Sequence, residues 1–358
     1  MSQIILNIMA IGALTGGLDH LLGNRFGFGE RFEEAFHLLG SIALSMAGII
    51  CLAPVLSHWL GKIIVPLFGL MRLDPGMFGS ILAIDMGGYQ MAMDLCKDPG
   101  IGRYAGIIVS AIFGCTIVFT IPVGLGAVGA EDRPYFTKGI LFGLIAMPVG
   151  LIAGGLLCNL SLVPLLWNLL PILLESFLLI VGLLKRPESL ILGFQYFAKG
   201  IEKLAIFGLM LGALQYMTGR AWIPGMDALT DAMEVVCSIA IVMLGSMPLA
   251  ELLQRLLKKP FAWIGKHTGL NSVSTTGLLI GMVSVVPALA MIPRMDKRGK
   301  VVCGAFVVSS ASLFAAHLGF TISTEPELVT AMITAKLLGG ITGVILALIL
   351  TRNEKPQP

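Results

Sequence analysis

Apolar residues in this chain fall in long unbroken runs rather than in alternating or one-sided patterns. Runs near 4–22, 36–58, 104–128, 136–158, 163–184, 199–218, 232–254, 300–322 and 328–350 approach the ~20 residues with which an α-helix crosses a bilayer. The pattern predicts about nine spanning helices. Two further apolar segments, 77–95 and 272–293, are interrupted near their middles. Asp85, Gly87 and Gly88 break the first, and Ser284 and Pro287 break the second. Each follows a short amphipathic stretch with a proline, Lys62 to Arg72 with Pro66 and Lys259 to His267 with Pro260. A broken segment of this kind either spans or returns to the side it entered from, as a re-entrant hairpin.

The distribution of positive charge favours hairpins, because Lys and Arg collect on the cytoplasmic side of membrane proteins. With both segments re-entrant, one side holds 18 Lys and Arg and the other 5, with Lys336 inside a helix. With both spanning, the split is 11 to 12, which is no bias. The hairpin reading places the N-terminus outside the cell and the C-terminus in the cytoplasm.

An internal repeat points the same way. Gly12–Gly23 (GALTGGLDHLLG) matches Gly208–Gly219 (GLMLGALQYMTG), and Ser41–Gly48 (SIALSMAG) matches Ser238–Gly245 (SIAIVMLG). Pro54 and Pro66 then match Pro248 and Pro260. The expected organisation is a first inverted repeat over 1–160 with its hairpin at 76–96, and a linker helix in 161–190. A second repeat follows over 191–351 with its hairpin at 271–294, and a cytoplasmic tail over 352–358. Inverted repeats with one broken segment each are the sequence pointer to a secondary transporter with a midplane site, because broken backbone at that depth survives only where protein or a water-lined cavity satisfies it.

Composition narrows the class. Of 358 residues, 56% are hydrophobic, 44 are glycine and 13% are charged, against about 25% charged in an average soluble domain; mean hydropathy is +0.91. This excludes a soluble enzyme, a disordered chain and a nucleic-acid-binding protein, and predicts an all-α polytopic membrane protein whose first partner is the lipid bilayer. The run from Ile4 to Leu22 has no basic stretch before it and no small-residue cleavage motif, so it reads as a retained helix. The six cysteines stand singly, in neither disulfide nor metal-ligand spacing. No P-loop, HExxH or GxSxG motif is present. The chain reads as a transporter rather than an enzyme, with no cofactor.

Few ionisable residues lie within the apolar runs, and each costs about 2.5–3.5 kcal/mol at the bilayer centre unless paired or neutralised. Asp85 stands at the first break, where it either pairs a cationic substrate, binds a coupling cation or caps the half-helix after Gly87 and Gly88. Tyr89 either offers a cation–π face or packs. Glu175, mid-way along the linker helix, either lines a pathway or sits protonated at a helix or subunit interface; a homo-oligomer is compatible with the latter. His317, near Ser309, Ser310 and Ser312, either carries a coupling proton or is a neutral hydrogen-bonded histidine.

Longer strings add a resemblance. Phe32–Gly61 (FEEAFHLLGSIALSMAGIICLAPVLSHWLG), Asp85–Leu95 (DMGGYQMAMDL), Thr116–Gly126 (TIVFTIPVGLG), Ile223–Leu229 (IPGMDAL), Met295–Ala311 (MDKRGKVVCGAFVVSSA) and His317–Phe320 (HLGF) together resemble the ethanolamine permease family of bacterial ethanolamine-utilization operons. The resemblance runs from about residue 4 to 350 and implies an inner-membrane permease for ethanolamine. In that reading Asp85 pairs the ammonium group, while carbonyls at the hairpin breaks and Ser284 bond the hydroxyl. Two positions depart from the family pattern. Ser284 and Val285 stand where paired asparagines often precede the hairpin proline, and Ala316 where an aspartate often precedes the histidine. These departures leave a related amino alcohol or small amine as an alternative substrate. The rival functions are a transporter of a nucleoside-like solute or organic ion, and a non-transport membrane scaffold or enzyme.

Overall fold

The computed structural model describes residues 2–82 and 85–352, without the side chains of Ser2, Ile81 and Asp85. Residues 83 and 84 of the first broken segment, and 353–358 of the expected tail, lie outside the described residues. Among the described residues the chain is helical, with no strand. Helix α1 (Ser2–Leu21) turns into α2 (Phe28–Leu70), which runs unbroken through Pro54 and Pro66. The first broken segment follows as α3 (Met77–Ile81), a 3-10 turn over Asp85–Gly87 and α4 (Gly88–Leu95). Next come α5 (Pro99–Tyr104), π-helical turns over Ala105–Gly114 and Thr116–Thr120, and α6 (Ile121–Ala127). Then come α7 (Arg133–Leu157) and α8 (Leu162–Lys185).

Helix α9 (Pro187–Thr218) leads to α10 (Leu229–Thr268), which runs through Pro248 and Pro260 as α2 runs through its own pair. The second broken segment is α11 (Ser272–Gly281) and α12 (Val285–Met291), parted at Met282–Ser284. Pro287 sits in the first turn of α12, where its missing N–H costs no helical bond. Then come α13 (Lys297–Ser310), α14 (Ala316–Thr324) and α15 (Val329–Leu350).

Three expectations change. Among the described residues seven helices, not nine, are long and apolar enough to cross a membrane by length and composition: 3–21, 28–70, 99–127, 133–157, 162–185, 229–268 and 326–350. Glu202, Lys203, Gln215 and Tyr216 dilute the apolar run of α9. The expected span 300–322 is not one helix either. It stops at Ser310 and restarts at Ala316, with Ser312 at φ +53°. Within that turn the N–H groups of Ser312 and Phe314 donate to the carbonyls of Gly281 and Met282 at 3.2 and 3.0 Å. The second broken segment is thereby bonded to a second break. Finally, the amphipathic stretches over 62–72 and 259–267 are not separate connectors; Lys62–Leu70 and Lys259–His267 continue α2 and α10 as helix.

Two groups of helices emerge from the packing. Helices α1, α2, α9 and α10 pack on one another, with α1 against α10 and α9 against α2. In the other group α7 packs on α13 and α15, and α3 and α4 pack on the π-helical run. Most of the largest fully buried side chains, Tyr104, Phe113, Phe136 and Lys336 among them, belong to this second group, while Ile49 lies on α2 in the first. Contacts of α10 with α11 and α14, and of α9 with α6, join the groups.

Candidate functional site

A cavity of about 510 Å³ lies on the boundary between the two helix groups. One wall comes from α2 and α9. Ser41 and Ser45, a turn apart on α2, face Gln195, Lys199 and Glu202, which recur at i, i+4 and i+7 on α9 and so share one face. The other wall comes from Met86 in the first break, from Cys115 to Val123, and from Ser312, Ala316 and His317 around the break before α14. The cavity therefore meets the first break and the break before α14, but no residue of the second broken segment lines it.

The expected site residues divide. His317 lines the cavity while only 2% exposed. Asp85 is the neighbour of Met86 in the 3-10 turn; its carboxylate lies outside the described residues. Gly87 and Gly88 are buried, and a Cβ on Gly88 would lie 2.5 Å from the Gly79 carbonyl oxygen, so the arms of this segment touch backbone to backbone. Tyr89 points elsewhere: its hydroxyl donates to Glu325 at 2.8 Å and its ring meets Phe320 edge-on. Ser284 precedes α12 without capping it and is not part of the cavity wall. Glu175 lines a separate cavity of about 390 Å³ with Ser189, Phe194 and Phe197.

Several contributors were not singled out in the sequence. Lys336, fully buried in α15, donates from Nζ to the carbonyl of Ala111 in the π-helical run at 2.6 Å and lies 3.3 Å from Nδ1 of His317. A lysine within an apolar run was a visible signal, since ionisable residues at membrane depth are functional candidates by default. The Gln195, Lys199 and Glu202 face was visible too, as a polar stripe at helical spacing.

Carboxylates also tie the ends of both broken segments. Asp74, before α3, accepts from the N–H groups of Gly76, Lys97 and Asp98 at 2.8, 3.1 and 2.9 Å, so positions 74 and 98 lie side by side. Asp296, after α12, accepts from the N–H groups of Asn271 and Gly299 at 2.9 Å and from the Ser274 hydroxyl at 2.7 Å. Two ion pairs flank these ties. Arg103 pairs with Glu325, which also accepts from Tyr89, and Lys300 pairs with Asp132. Among the described residues no group of three or more His, Cys, Asp or Glu could hold a metal ion.

Comparison with known proteins assigns the chain. It is 40% identical to a protein of Listeria monocytogenes named "Probable ethanolamine permease EutH", over 96% of this chain and 92% of that protein. It is 39% identical to "Uncharacterized protein YxeR" of Bacillus subtilis, over 100% of this chain and 97% of that one. With the "Probable ethanolamine permease EutH" of Escherichia coli it shares 35% identity, over 99% and 96%. No solved structure matches. The family described as "Ethanolamine utilisation protein, EutH" matches residues 1–350, and the chain belongs to that family.

Proposed function

We propose that the protein is a secondary transporter that carries ethanolamine, or a closely related small amino alcohol, across the bacterial inner membrane. The observation that carries this reading is the cavity between the helix groups, walled by Met86 of the first break and by Ser312 and His317 around the break between α13 and α14. Relatives named as ethanolamine permeases cover nearly the full chain. Asp85, at the break beside the cavity, is the proposed partner of the ammonium group. An amine at membrane depth needs such a counter-charge, and a carboxylate persists there only when it is paired or needed.

In this reading the halves are inverted repeats and the broken segments are re-entrant hairpins. The carboxylate ties support it, since Asp74 joins the entry of the first segment to its exit and Asp296 does the same for the second. The N-terminus then lies outside and the C-terminus in the cytoplasm. Lys199 and Glu202 mark the cytoplasmic mouth of the cavity. The helix group that carries both hairpins moves against α1, α2, α9 and α10 to expose the site to alternate sides. The membrane potential drives a cation inward by about 2.3 kcal/mol per 100 mV.

Radiolabelled ethanolamine uptake into proteoliposomes at acidic pH tests the reading, because the neutral amine that leaks through lipid is scarce there. Saturable uptake by the wild type, lost in a folded Asp85→Asn variant, is expected. Saturable uptake that Asp85→Asn leaves unchanged removes Asp85 from the site and keeps the transporter. No protein-dependent uptake removes ethanolamine as the substrate.

A further inference from the structure

Glu175 is the one ionisable side chain of α8 before Lys185. It is partly buried, and among the described residues no hydrogen bond or ion pair reaches its carboxyl group. The next cations along the chain, Lys185 and Arg186, stand at the turn into α9, about 15 Å further along the helix axis. A carboxyl group at this depth persists only when it is neutralised, by a proton or by a cation, or faces a cavity.

The cavity of about 390 Å³ beside Glu175 says which cation fits. Helix α9 gives it Ser189, Leu190, Phe194 and Phe197, and the π-helical run gives it Ile117. Glu175 is the only titratable group in that wall. A carboxyl group and two phenylalanines around one space are the elements that recognise an organic ammonium ion. The carboxylate takes the charge, and the aromatic rings attract the cation and pack on its alkyl groups. The volume exceeds what a two-carbon amine fills and suits a larger ligand. Leu174, Phe177 and Tyr196 beside it are exposed, on a surface that a spanning helix turns to lipid. The main cavity takes Val118, Phe119, Gln195 and Ala198 from the same two segments, so the two cavities stand back to back.

We propose that this cavity is a second cation site, which takes an organic ammonium ion with an apolar substituent, its charge on Glu175 and its substituent against Phe194 and Phe197. Such an amphiphile partitions into the bilayer and enters laterally between α8 and α9. It competes with a proton for Glu175, because either one neutralises the carboxylate. Through the shared wall its binding slows transport by the main cavity; that consequence rests on the transport reading above, and the site itself does not.

The probe is radiolabelled trimethyl(3-phenylpropyl)ammonium, whose charge does not vary with pH. Wild-type protein in nanodiscs is expected to bind it saturably, and more weakly at acidic than at alkaline pH. Folded Glu175→Gln is expected to lose about tenfold or more of the affinity, and folded Asp85→Asn to keep it. Binding that Asp85→Asn loses and Glu175→Gln keeps puts the probe in the main cavity and overturns the site, as does an affinity independent of pH. The wild type alone also decides. A lipid-soluble carbodiimide modifies carboxyl groups reachable from the bilayer, and peptide mass spectrometry should show the probe protecting Glu175. A Glu175 that stays unmodified, or is modified equally with and without the probe, overturns the site even if no variant folds. In proteoliposomes the probe should lower the maximal rate of ethanolamine uptake and leave KM unchanged. An unaffected rate overturns the link between the cavities. Protein that carries no ethanolamine yet binds the probe through Glu175 removes the transport reading and supports the site.

Discussion

Gly48 and Gly208 meet backbone to backbone where α2 crosses α9. A Cβ on Gly48 would lie 1.8 Å from the carbonyl oxygen of Ala205, and one on Gly208 would lie 2.1 Å from the carbonyl oxygen of Gly48. The crossing of α1 with α10 has the same construction. There a Cβ on Gly12 would lie 2.4 Å from the Gly245 carbonyl oxygen, and one on Gly245 would lie 2.0 Å from that of Met9. Gly12 and Gly208 are matched positions in the sequence repeat, as are Gly48 and Gly245. Each crossing thus draws one glycine from the strings before Gly61 and one from those after Gly200. Without a hydrophobic force between helices in lipid, such close approach is the main source of their attraction.

Gly208→Ala is therefore expected to destabilise the protein by about 1–3 kcal/mol, the usual cost of forcing a methyl group into a packed contact. Gly200→Ala is the control on the same helix, since nothing lies within 4 Å of a Cβ there. It gains the helix propensity of alanine and meets no clash. Thermal unfolding in detergent should show a lower midpoint for Gly208→Ala and an unchanged or higher one for Gly200→Ala. Equal midpoints for the two variants would show that the crossing is not held by this contact.

How far the fold was legible follows from where glycine and polar residues interrupt apolar runs. The breaks at Asp85–Gly88 and Met282–Ser284 left such marks. The break at Ala311–Ala315 left none, because Ser309, Ser310, Ala311 and Ser312 include neither glycine nor proline; hydrogen bonds to Gly281 and Met282 impose it. The π-helical turns are likewise products of packing. At the site, His317 was legible as an ionisable group within an apolar run. The polar spacing of Gln195, Lys199 and Glu202 was visible, but only the assembled fold turns that face of α9 toward α2. The pairs Arg103–Glu325 and Lys300–Asp132 join residues 222 and 168 positions apart, a relation that spacing along the chain does not encode.

Asp74 offers a test of the tie between segment ends. It is 6% exposed and serves the N–H groups of three residues while its own N–H donates to Asn168 at 2.6 Å. Hydrogen bonds to a charged group contribute about 1.5–3 kcal/mol each, and buried donors left unpaired are costly. Asp74→Ala should lose about 3 kcal/mol or more, and Asp74→Asn, which keeps one acceptor oxygen, should lose less. Proteolysis of the purified protein should then cleave near 97–98 in the alanine variant first. Wild-type stability and cleavage in Asp74→Ala would mean that the ends stay together without the carboxylate.

The pair of Arg103 with Glu325 calls for a double-mutant cycle. The Glu325 side chain is 14% exposed and that of Arg103 32%, so each leaves a poorly solvated charge when the other is removed. Arg103→Met and Glu325→Gln together should therefore cost less than the sum of the single changes, with a coupling of about 1–2 kcal/mol. Tyr89→Phe, which removes only the hydroxyl bond to Glu325, should cost about 1 kcal/mol. Strict additivity of the two single changes in thermal unfolding would show that the pair contributes nothing as a pair.

Asp227, in the loop between α9 and α10, predicts a pH dependence of definite sign. Burial, and then the charges of Asp94 and Asp231, hold its carboxyl group above the usual aspartate range. A carboxyl group whose folded value exceeds its unfolded one binds its proton more tightly in the folded protein. Its contribution to stability is complete below the unfolded value and is lost as pH rises through the folded value. At neutral pH the ionised Asp227 therefore opposes folding, and Asp227→Asn removes that opposition. The change leaves in place the bond from the N–H of residue 227 to the Cys51 carbonyl at 3.0 Å. Asp227→Asn should unfold at a higher temperature than the wild type at neutral pH, and the difference should shrink as pH falls and the wild-type carboxyl group takes up its proton. A gain that is constant from neutral to acidic pH would trace the effect to packing, and no gain at neutral pH would show that solvent already screens Asp94 and Asp231 from Asp227.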